Sequence, residues 1–348
     1  MAIPAVQREL SSSSAIDAAP LPLVAPDLGD IFRRAALGSD LAEVERLMVE
    51  RTASHSRLLS AAGAYTVAAG GKRLRAALVL LAARLGTYNL ERAVRPAMAI
   101  ELLHAASLVH DDLVDHALRR RGRVTVHTRW DSHVAVMLGD YFFALAAGEL
   151  SAEPDPRIIK FYADAAQTVV EGELRPVTQL EPLDVALTQY FYKIGSKTAA
   201  LFEAACRAGI AVSGGTVEQI AALGHFGYDL GLAFQIVDDV LDFTGDEATL
   251  GKPAGNDLRE GTLTLPLIYA VAESHSPLLR ELARTGAPDP GRVPQLLAAV
   301  IAAGGVERAL AEARQITDRA LTYLNTFERS SATRALGEIC AFVLTRQA

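Results

Sequence analysis

Two aspartate clusters with identical spacing are the residues of this chain best suited to chemistry. Residues 111–115 read Asp-Asp-Leu-Val-Asp, and residues 238–242 read Asp-Asp-Val-Leu-Asp. The first and last aspartates of each cluster are four positions apart, which places them on one face of an α-helix. Carboxylate oxygens are the ligands that hard divalent cations prefer, and such cations bind phosphates in turn. The pair therefore predicts a site for metal ions and a phosphorylated substrate.

The alternative interpretation of each cluster is a solvated charged face, or a helix N-terminus where aspartate suits the helix dipole. Apolar residues surround both clusters, with Leu108 and Val109 before the first and Ile236 and Val237 before the second. A carboxylate is unfavourable in such a setting unless it has a partner. The flanking residues therefore favour two inward-facing acidic motifs.

Basic residues predict where phosphate groups would bind. Residues 70–75 read Gly-Gly-Lys-Arg-Leu-Arg, and glycines before a helix N-terminus let backbone N–H groups approach an anion. Three arginines at 119–121 follow the first cluster, and arginine forks onto phosphate oxygens. His104 lies two helical turns before Asp111 on the same face and is a candidate donor to a second phosphate. His110 is interpreted as structural.

The elements that must position these residues are helices. Half of the 348 residues are hydrophobic, and Ala and Leu are abundant, which favours an all-α fold. Helices are predicted at about 89–116 and 216–243, each carrying one aspartate cluster. Others are predicted at about 134–150, 156–181, 184–210 and from 263 onward, with Ser39 and Asp40 capping an early one. Loops are predicted at 117–133 and 244–261. Residues 28–348 are predicted to form one domain, preceded by a predicted flexible arm at 1–27 that contains four prolines.

Composition excludes several classes of protein. A net charge of −7 argues against a nucleic-acid partner. Cys206 and Cys340 cannot form a disulfide framework and have no metal-ligand neighbours, which fits a reducing cytoplasm. The longest uncharged apolar runs, such as 296–306, are shorter than the roughly 20 residues of a membrane span. No basic segment followed by an apolar core begins the chain, so no secretory signal is predicted.

In their order along about 30–348, these motifs resemble the trans-isoprenyl diphosphate synthases of the polyprenyl synthetase type. The matching segments are Gly-Gly-Lys-Arg-Leu-Arg at 70–75, Glu101 to Asp115, Arg120-Arg121-Gly122, Gly139-Asp140, Lys197-Thr198, Phe234 to Asp242, Gly251-Lys252 and Thr264-Leu265-Pro266. The resemblance implies an all-α bundle around a deep central cavity, usually a homodimer. It also implies Mg²⁺-dependent condensation of isopentenyl diphosphate with an allylic diphosphate.

The resemblance assigns roles residue by residue. The metal ligands for two to three Mg²⁺ ions would be Asp111, Asp112, Asp115, Asp238, Asp239 and Asp242. The isopentenyl diphosphate ligands would be Lys72, Arg75, His104 and Arg121. The allylic diphosphate ligands would be Arg120, Lys197, Thr198, Gln235 and Lys252, with Lys197 also counted among the catalytic groups. Thr262 departs from the family, which often has lysine two residues before the Thr-Leu-Pro segment.

Product length is predicted from the residues that precede the first cluster. Ala106 and Ser107 are small, whereas short-chain relatives often place an aromatic plug there. A medium- or long-chain all-trans product is therefore expected, with peripheral membrane contact for its release. The alternative is a short-chain farnesyl or geranylgeranyl diphosphate synthase, whose plug would then be sought at Leu103 or at the deeper residues Val136, Met137 and Tyr141.

Two rival functions remain. A terpene cyclase shares the fold and the first cluster, but it normally replaces the second with a mixed Asn/Ser/Glu motif and lacks the Gly-Gly-Lys segment. A regulatory subunit of a heteromeric synthase generally lacks intact aspartate motifs. Both motifs are intact in this chain, so an active synthase is the favoured prediction.

Overall fold

Helices joined by short connections make up nearly all of the computed structural model, which describes residues 27–245, 254–285 and 290–346. The predicted arm at 1–27 therefore lies almost entirely outside the described residues. The helices are α1 (Leu28–Arg34), α2 (Gly38–Arg51), α3 (Arg57–Val67), α4 (Leu74–Ala83), α5 (Leu90–Val114), α6 (Val126–Arg129), α7 (Ser132–Ser151), α8 (Pro156–Glu173), α9 (Leu183–Ile194), α10 (Ala200–Val212), α11 (Val217–Thr244), α12 (Asn256–Arg259), α13 (Leu265–Glu273), α14 (Pro277–Thr285), α15 (Val293–Ala302), α16 (Gly305–Tyr323) and α17 (Ser331–Thr345).

The helices that carry the aspartate clusters begin within a residue of the predicted positions, and both have side-chain caps. The Asn89 side chain accepts from the Arg92 amide at the start of α5, and Thr216 forms a capping box with Gln219 at the start of α11. The predicted cap at Ser39 and Asp40 is wrong. Helix α2 begins at Gly38 without a side-chain cap, and the buried Asp40 carboxylate instead pairs with Arg84.

Helix α10 lies at the centre of the bundle and separates the two acidic helices. It packs against α4, α5, α8 and α11, and its residues are almost all buried. Glycines permit the closest approaches. A Cβ at Gly227 of α11 would lie 2.6 Å from the Phe202 carbonyl oxygen, and one at Gly209 would lie 2.2 Å from that of Val79. Because α5 and α11 both pack on α10, their aspartate clusters approach the same region.

A π-helical segment, Gly195–Ala199, joins α9 to α10. The sequence predicts one continuous helix at 184–210, and the π turn interrupts it at Lys197 and Thr198. Such turns are rare and often lie at functional sites. Gly195 fits because a Cβ there would lie 2.5 Å from the Tyr228 hydroxyl.

The predicted loop at 117–133 contains short regular structure. Strand β1 (Arg119–Arg120) pairs antiparallel with β2 (Arg123–Val124), and α6 follows. The turn between the strands places Arg121 at φ 50° and Gly122 at φ 73°, the left-handed values that a tight hairpin needs. The hairpin thereby fixes the direction of the arginines that follow the first cluster.

Two helices, α7 and α11, are long and apolar enough to span a membrane by length and composition alone. The apolar window of α11 is 72% buried within the protein, as expected of a core helix, and that of α7 is 44% buried. Cys206 and Cys340 are both free and buried.

Candidate active site

The aspartates of the first cluster point toward three different surroundings at the end of α5. Asp111 Oδ2 lies 3.6 Å from Lys197 Nζ. Asp112 is buried and accepts a 2.6 Å bond from Arg120 Nε of the hairpin, while Asp115 is exposed at the helix end. Burial raises the pKa of Asp111 and Asp112, although Lys197 and Arg120 respectively oppose the shift.

The second cluster, near the end of α11, also contains both exposed and buried aspartates. The Asp238 side chain is 55% exposed, and Arg346 Nη2 lies 3.2 Å from its Oδ1. Asp239 is buried, accepting 2.7 Å from the Tyr190 hydroxyl and 2.9 Å from Gln235 Nε2. Asp242 is 2% exposed and accepts from the Asp257 amide at 3.0 Å. The shared face predicted for Asp238 and Asp242 therefore has one exposed and one buried end.

A chain of polar contacts joins the two clusters across the π segment. The Thr198 hydroxyl donates 2.7 Å to Gln235 Oε1, and Gln235 in turn donates to Asp239. Lys197, the adjacent residue, pairs with Asp111. Lys197, Thr198 and Gln235, which the sequence assigns to the allylic diphosphate, are thus brought together between the two acidic motifs.

Glu173, at the end of α8, is a site residue that the sequence analysis missed. Its Oε1 lies 2.9 Å from Lys197 Nζ. Burial would lower the pKa of Lys197, but the charges of Asp111 and Glu173 outweigh it and raise that pKa. The ammonium is therefore held between two carboxylates from different helices. Nothing in the spacing of Glu173 signals this contact, which depends on how α8 packs against the π segment.

The hairpin arginines fold onto the Gly-Gly-Lys segment. Arg121 Nη1 donates 2.5 Å to the Gly70 carbonyl oxygen, and a Cβ at Gly71 would lie 2.8 Å from that nitrogen. Gly71 adopts φ 158°, and Arg73 is left-handed at φ 47°. Glu101 accepts from the Ala76 amide at 3.1 Å and lies near Arg73. A side chain at 71 would displace the guanidinium and would be strained at this φ, so glycine is favoured there.

His104 lies half-buried among positive charges. Burial, followed by the charges of Arg75, Arg121, Arg120 and Arg73, lowers its pKa well below the ordinary value. The imidazole is therefore neutral, and it can donate one N–H bond without adding charge. The arginines around it could hold an anion, and the family resemblance implies isopentenyl diphosphate at this position.

Arg75 is a partly buried cation beside His104. Its guanidinium lies 5.0 Å from the centroid of the Phe202 ring, and burial lowers its pKa to about 10. Within the described part of the chain, Arg75 Nε is buried without a hydrogen-bond acceptor. Leaving a donor of a charged group unsatisfied is unfavourable, and an anion bound here would supply the acceptor.

Lys72 and Arg346 extend the basic region to the second cluster. Lys72 Nζ lies 5.4 Å from the Phe342 ring centroid of α17, and burial, followed by the charge of Arg346, lowers the pKa of Lys72. Arg346 is nearly buried, donates 2.7 Å to the Phe234 carbonyl oxygen and stacks 3.8 Å from that ring's centroid. Arg346 carries no signal in the sequence, since its partners lie far away along the chain.

The donor set fits a hard divalent cation. Asp239 is buried, and its hydrogen-bond donors among the residues described are neutral, with the charge of Arg346 acting on it from farther away. Buried Asp229, by contrast, is paired bidentately with Arg319. A buried carboxylate without a counter-ion is costly, and a cation would offset that cost. No three His, Cys, Asp or Glu groups of the described ranges form a complete metal cluster.

The remaining predicted residues are placed as follows. Leu103 and Ala106 are buried, and the Ser107 hydroxyl donates 2.9 Å to the His104 carbonyl oxygen. Val136 and Met137 are exposed, and Met137 and Tyr141 line a surface groove of about 490 Å³ between α3 and α7, so the structure places these residues at the surface rather than deeper, where the sequence predicts them. His110 packs against Gly139, consistent with a structural role. The Thr262 amide donates to the Asp257 carbonyl oxygen, and Lys252 lies outside the described residues.

This all-α bundle brings two aspartate motifs and an arginine cluster close together. That combination is the one that defines the class of the prenyl-transferring synthases. The chain belongs to the polyprenyl synthetase family, whose model matches residues 56–300. It is 38% identical over 311 residues to heptaprenyl diphosphate synthase component 2 of Geobacillus stearothermophilus, covering 88% of this chain and 96% of that one.

Solved structures of similar proteins support the same family assignment. The polyprenyl synthase of Caulobacter crescentus, complexed with calcium and isoprenyl diphosphate, matches with a TM-score of 0.86 and 33% identity over 94% of this chain and all of that one. A decaprenyl diphosphate synthase of Rhodobacter capsulatus matches with a TM-score of 0.83 and 34% identity, over 91% and 98% of the two chains. The predicted all-α isoprenoid-synthase fold is confirmed.

Proposed function

We propose that this chain condenses isopentenyl diphosphate with an allylic diphosphate to make a medium- or long-chain all-trans polyprenyl diphosphate. The observation that carries the proposal is the contact of Lys197 with Asp111, next to the Thr198–Gln235–Asp239 chain. These contacts connect the two acidic motifs in one site, beside the arginines around His104. Relatives named as heptaprenyl and decaprenyl diphosphate synthases support the product class.

Two to three Mg²⁺ ions would be held by the aspartate motifs, chiefly through Asp111, Asp115 and Asp238, whose carboxylates reach the open side of the site. Magnesium sites of this kind use a few carboxylates and complete their coordination with water and substrate phosphate oxygens. When bound, the metal supplies the positive charge that makes diphosphate a better leaving group.

The chain's own groups divide between two diphosphates. Lys197, Arg120 and the Thr198 and Gln235 side chains orient the allylic diphosphate, together with Lys252. Lys72, Arg75, Arg121 and the neutral His104 hold isopentenyl diphosphate without a metal. Fixed cations at both positions stabilise the charge that develops on the leaving group.

The reaction then balances without a protein nucleophile. The allylic C–O bond breaks and its electron pair leaves with diphosphate, giving an allylic carbocation. The double bond of isopentenyl diphosphate attacks that cation, and loss of a proton to the departed diphosphate restores a double bond. The product is longer by five carbons. The apolar helix faces around the site exclude water, which would otherwise capture the cation.

Ala106 and Ser107 support the longer product, because neither blocks the space one turn before Asp111. Product chromatography after incubation of the purified chain with Mg²⁺, isopentenyl diphosphate and farnesyl diphosphate tests this directly. Polyprenyl products beyond geranylgeranyl diphosphate are expected. A product that stops at geranylgeranyl diphosphate would assign the chain to the short-chain class, and a cyclic hydrocarbon would assign it to the cyclases.

The chain is proposed to act in the cytoplasm as a homodimer with peripheral membrane contact for product release. The partly apolar outer surface of α7, with Val136 and Met137 exposed, supports an interface. The name "component 2" of one relative supports a different assembly, with a second polypeptide. Light scattering of the purified chain, combined with an assay of turnover by that chain alone, distinguishes the homodimer from the heteromer. Turnover only after addition of a second polypeptide would favour the heteromer.

A further inference from the structure

Tyr190, on α9, is a buried tyrosine that the mechanism above does not use. It is 1% exposed, and its hydroxyl donates a 2.7 Å hydrogen bond to Asp239 Oδ2. Gln235 Nε2 donates to the other oxygen, Oδ1, at 2.9 Å. Each oxygen of the Asp239 carboxylate therefore has one neutral donor, and the two donors together fix the plane of the carboxylate.

The kind of partner distinguishes Asp239 from three other buried aspartates. Asp40, Asp112 and Asp229 each contact an arginine, and the ion pair neutralises the carboxylate. Asp239 has hydroxyl and amide donors instead, with no lysine or arginine pairing within the described ranges. Neutral donors orient a carboxyl group without supplying a counter-charge, so the group can still take a cation as its partner.

From this geometry we propose that Tyr190 is a positioning residue that orients the Asp239 carboxylate for the divalent metal of the second aspartate motif. This role rests on the proposed function. The hydrogen bond comes from α9, whereas Asp239 and Gln235 are both on α11. Tyr190 therefore ties the metal motif to the helix that leads into the π segment of Lys197. Groups that orient a metal ligand commonly change metal affinity by ten- to a hundredfold when removed.

Tyr162 provides a matched control. It is also fully buried, at 2% exposed, and its hydroxyl donates a 2.7 Å bond to the Pro96 carbonyl oxygen, away from both aspartate motifs. Tyr190→Phe and Tyr162→Phe each remove one buried hydroxyl and keep the ring. Any loss that follows from a buried hydrogen bond as such should appear in both variants, and their melting temperatures should fall by similar amounts.

The test measures metal binding with and without turnover. Free Mn²⁺ is followed by its electron paramagnetic resonance signal in the presence of inorganic diphosphate, and the Mg²⁺ concentration for half-maximal condensation is measured separately. Tyr190→Phe is expected to weaken Mn²⁺ binding about tenfold and to raise the Mg²⁺ requirement similarly, with the KM for isopentenyl diphosphate unchanged. Tyr162→Phe is expected to change none of these. Asp239→Asn, which leaves Tyr190 intact, is expected to weaken Mn²⁺ binding at least as much.

Different results would overturn the proposed function and the role of Tyr190. A wild-type chain without condensation activity would overturn the proposed function itself. An active wild type with equal Mn²⁺ binding in the Tyr190→Phe and Tyr162→Phe variants would overturn the role of Tyr190 alone. So would wild-type Mn²⁺ binding by Asp239→Asn, or an equal loss of affinity for isopentenyl diphosphate in Tyr190→Phe, since a general structural defect has no preference for the metal.

Discussion

The Thr198 hydroxyl donates a 2.7 Å hydrogen bond to Gln235 Oε1, linking the π segment before α10 to the acidic helix α11. Gln235 donates a hydrogen bond to Asp239, and Lys197, beside Thr198, pairs with Asp111 on α5. One short irregular segment thus contacts Asp111 directly and Asp239 through Gln235. This arrangement makes the site sensitive to single substitutions on three helices.

Replacing Lys197 with methionine should lower turnover by about a hundredfold, the usual cost of removing one fixed donor to a developing anion. The affected constants should be kcat and the KM for the allylic primer, measured in steady-state kinetics. Lys160→Met is the control, because Lys160 is exposed and pairs with Asp164 on the same helix, α8. Wild-type kinetics for Lys197→Met would contradict the assignment to the allylic diphosphate.

Asp111→Asn should reduce turnover by orders of magnitude while the protein stays folded. Burial raises the pKa of Asp111, so a neutral amide in its place should not lower the melting temperature of the metal-free protein. Asp164→Asn, at an exposed position, serves as the control. Condensation assays and thermal melts on the same samples check both statements, and near-normal activity would refute the metal role of Asp111.

Arg75→Met should separate stability from function. Burial lowers the pKa of Arg75 to about 10, so the buried charge opposes folding and its removal should leave the melting temperature equal or higher. The KM for isopentenyl diphosphate should rise by about ten- to a hundredfold, because a hydrogen bond to a charged group contributes about 1.5–3 kcal/mol. Thermal melts with and without inorganic diphosphate provide the check. Arg157→Met, at an exposed arginine paired with Asp155, should behave as wild type. A lower melting temperature with unchanged kinetics would contradict an anion site at Arg75.

The stability of the metal-free protein should fall as the pH rises toward about 8. Burial and the nearby charge of Asp257 raise the pKa of Asp239 from 3.8 to about 8. Between these values the folded state holds a proton that the unfolded state has released, so stability declines with rising pH by about 1.4 kcal/mol per pH unit from this group. Denaturant titrations in chelator should show a shallower pH dependence for Asp239→Asn. Identical slopes for the two proteins would show that Asp239 titrates near its ordinary value.

Bulky residues before the first cluster should shorten the product. Ser107 is half-buried, so Ser107→Phe should fold and shift the chromatographic product distribution toward fewer isoprene units. Ala106 is fully buried, so Ala106→Phe should destabilise the protein by about 1–3 kcal/mol through overpacking. An unchanged product length for a folded Ser107→Phe variant would place the growing chain elsewhere.

Local periodicity was enough to predict much of the fold. The acidic helices at 89–116 and 216–243 were predicted within a few residues of Leu90–Val114 and Val217–Thr244, because apolar spacing and caps are local properties. The π segment and the hairpin at 119–124 were not predicted. Both depend on contacts across the chain, with Tyr228 against Gly195 and Arg121 against Gly70.

The sequence by itself determined which chemistry is available: six carboxylates in two motifs, and basic residues in the order that phosphate binding requires. Only the tertiary structure decided how each carboxylate is used. Packing of α5 and α11 on α10 turned Asp112 toward an arginine and Asp239 toward Tyr190, and brought Glu173 and Arg346 to Lys197 and Asp238. The physical reason is the distance along the chain over which each property is set. Helical spacing, which is local, fixes the face on which a residue lies. The partner of that residue comes from elements that are distant along the chain.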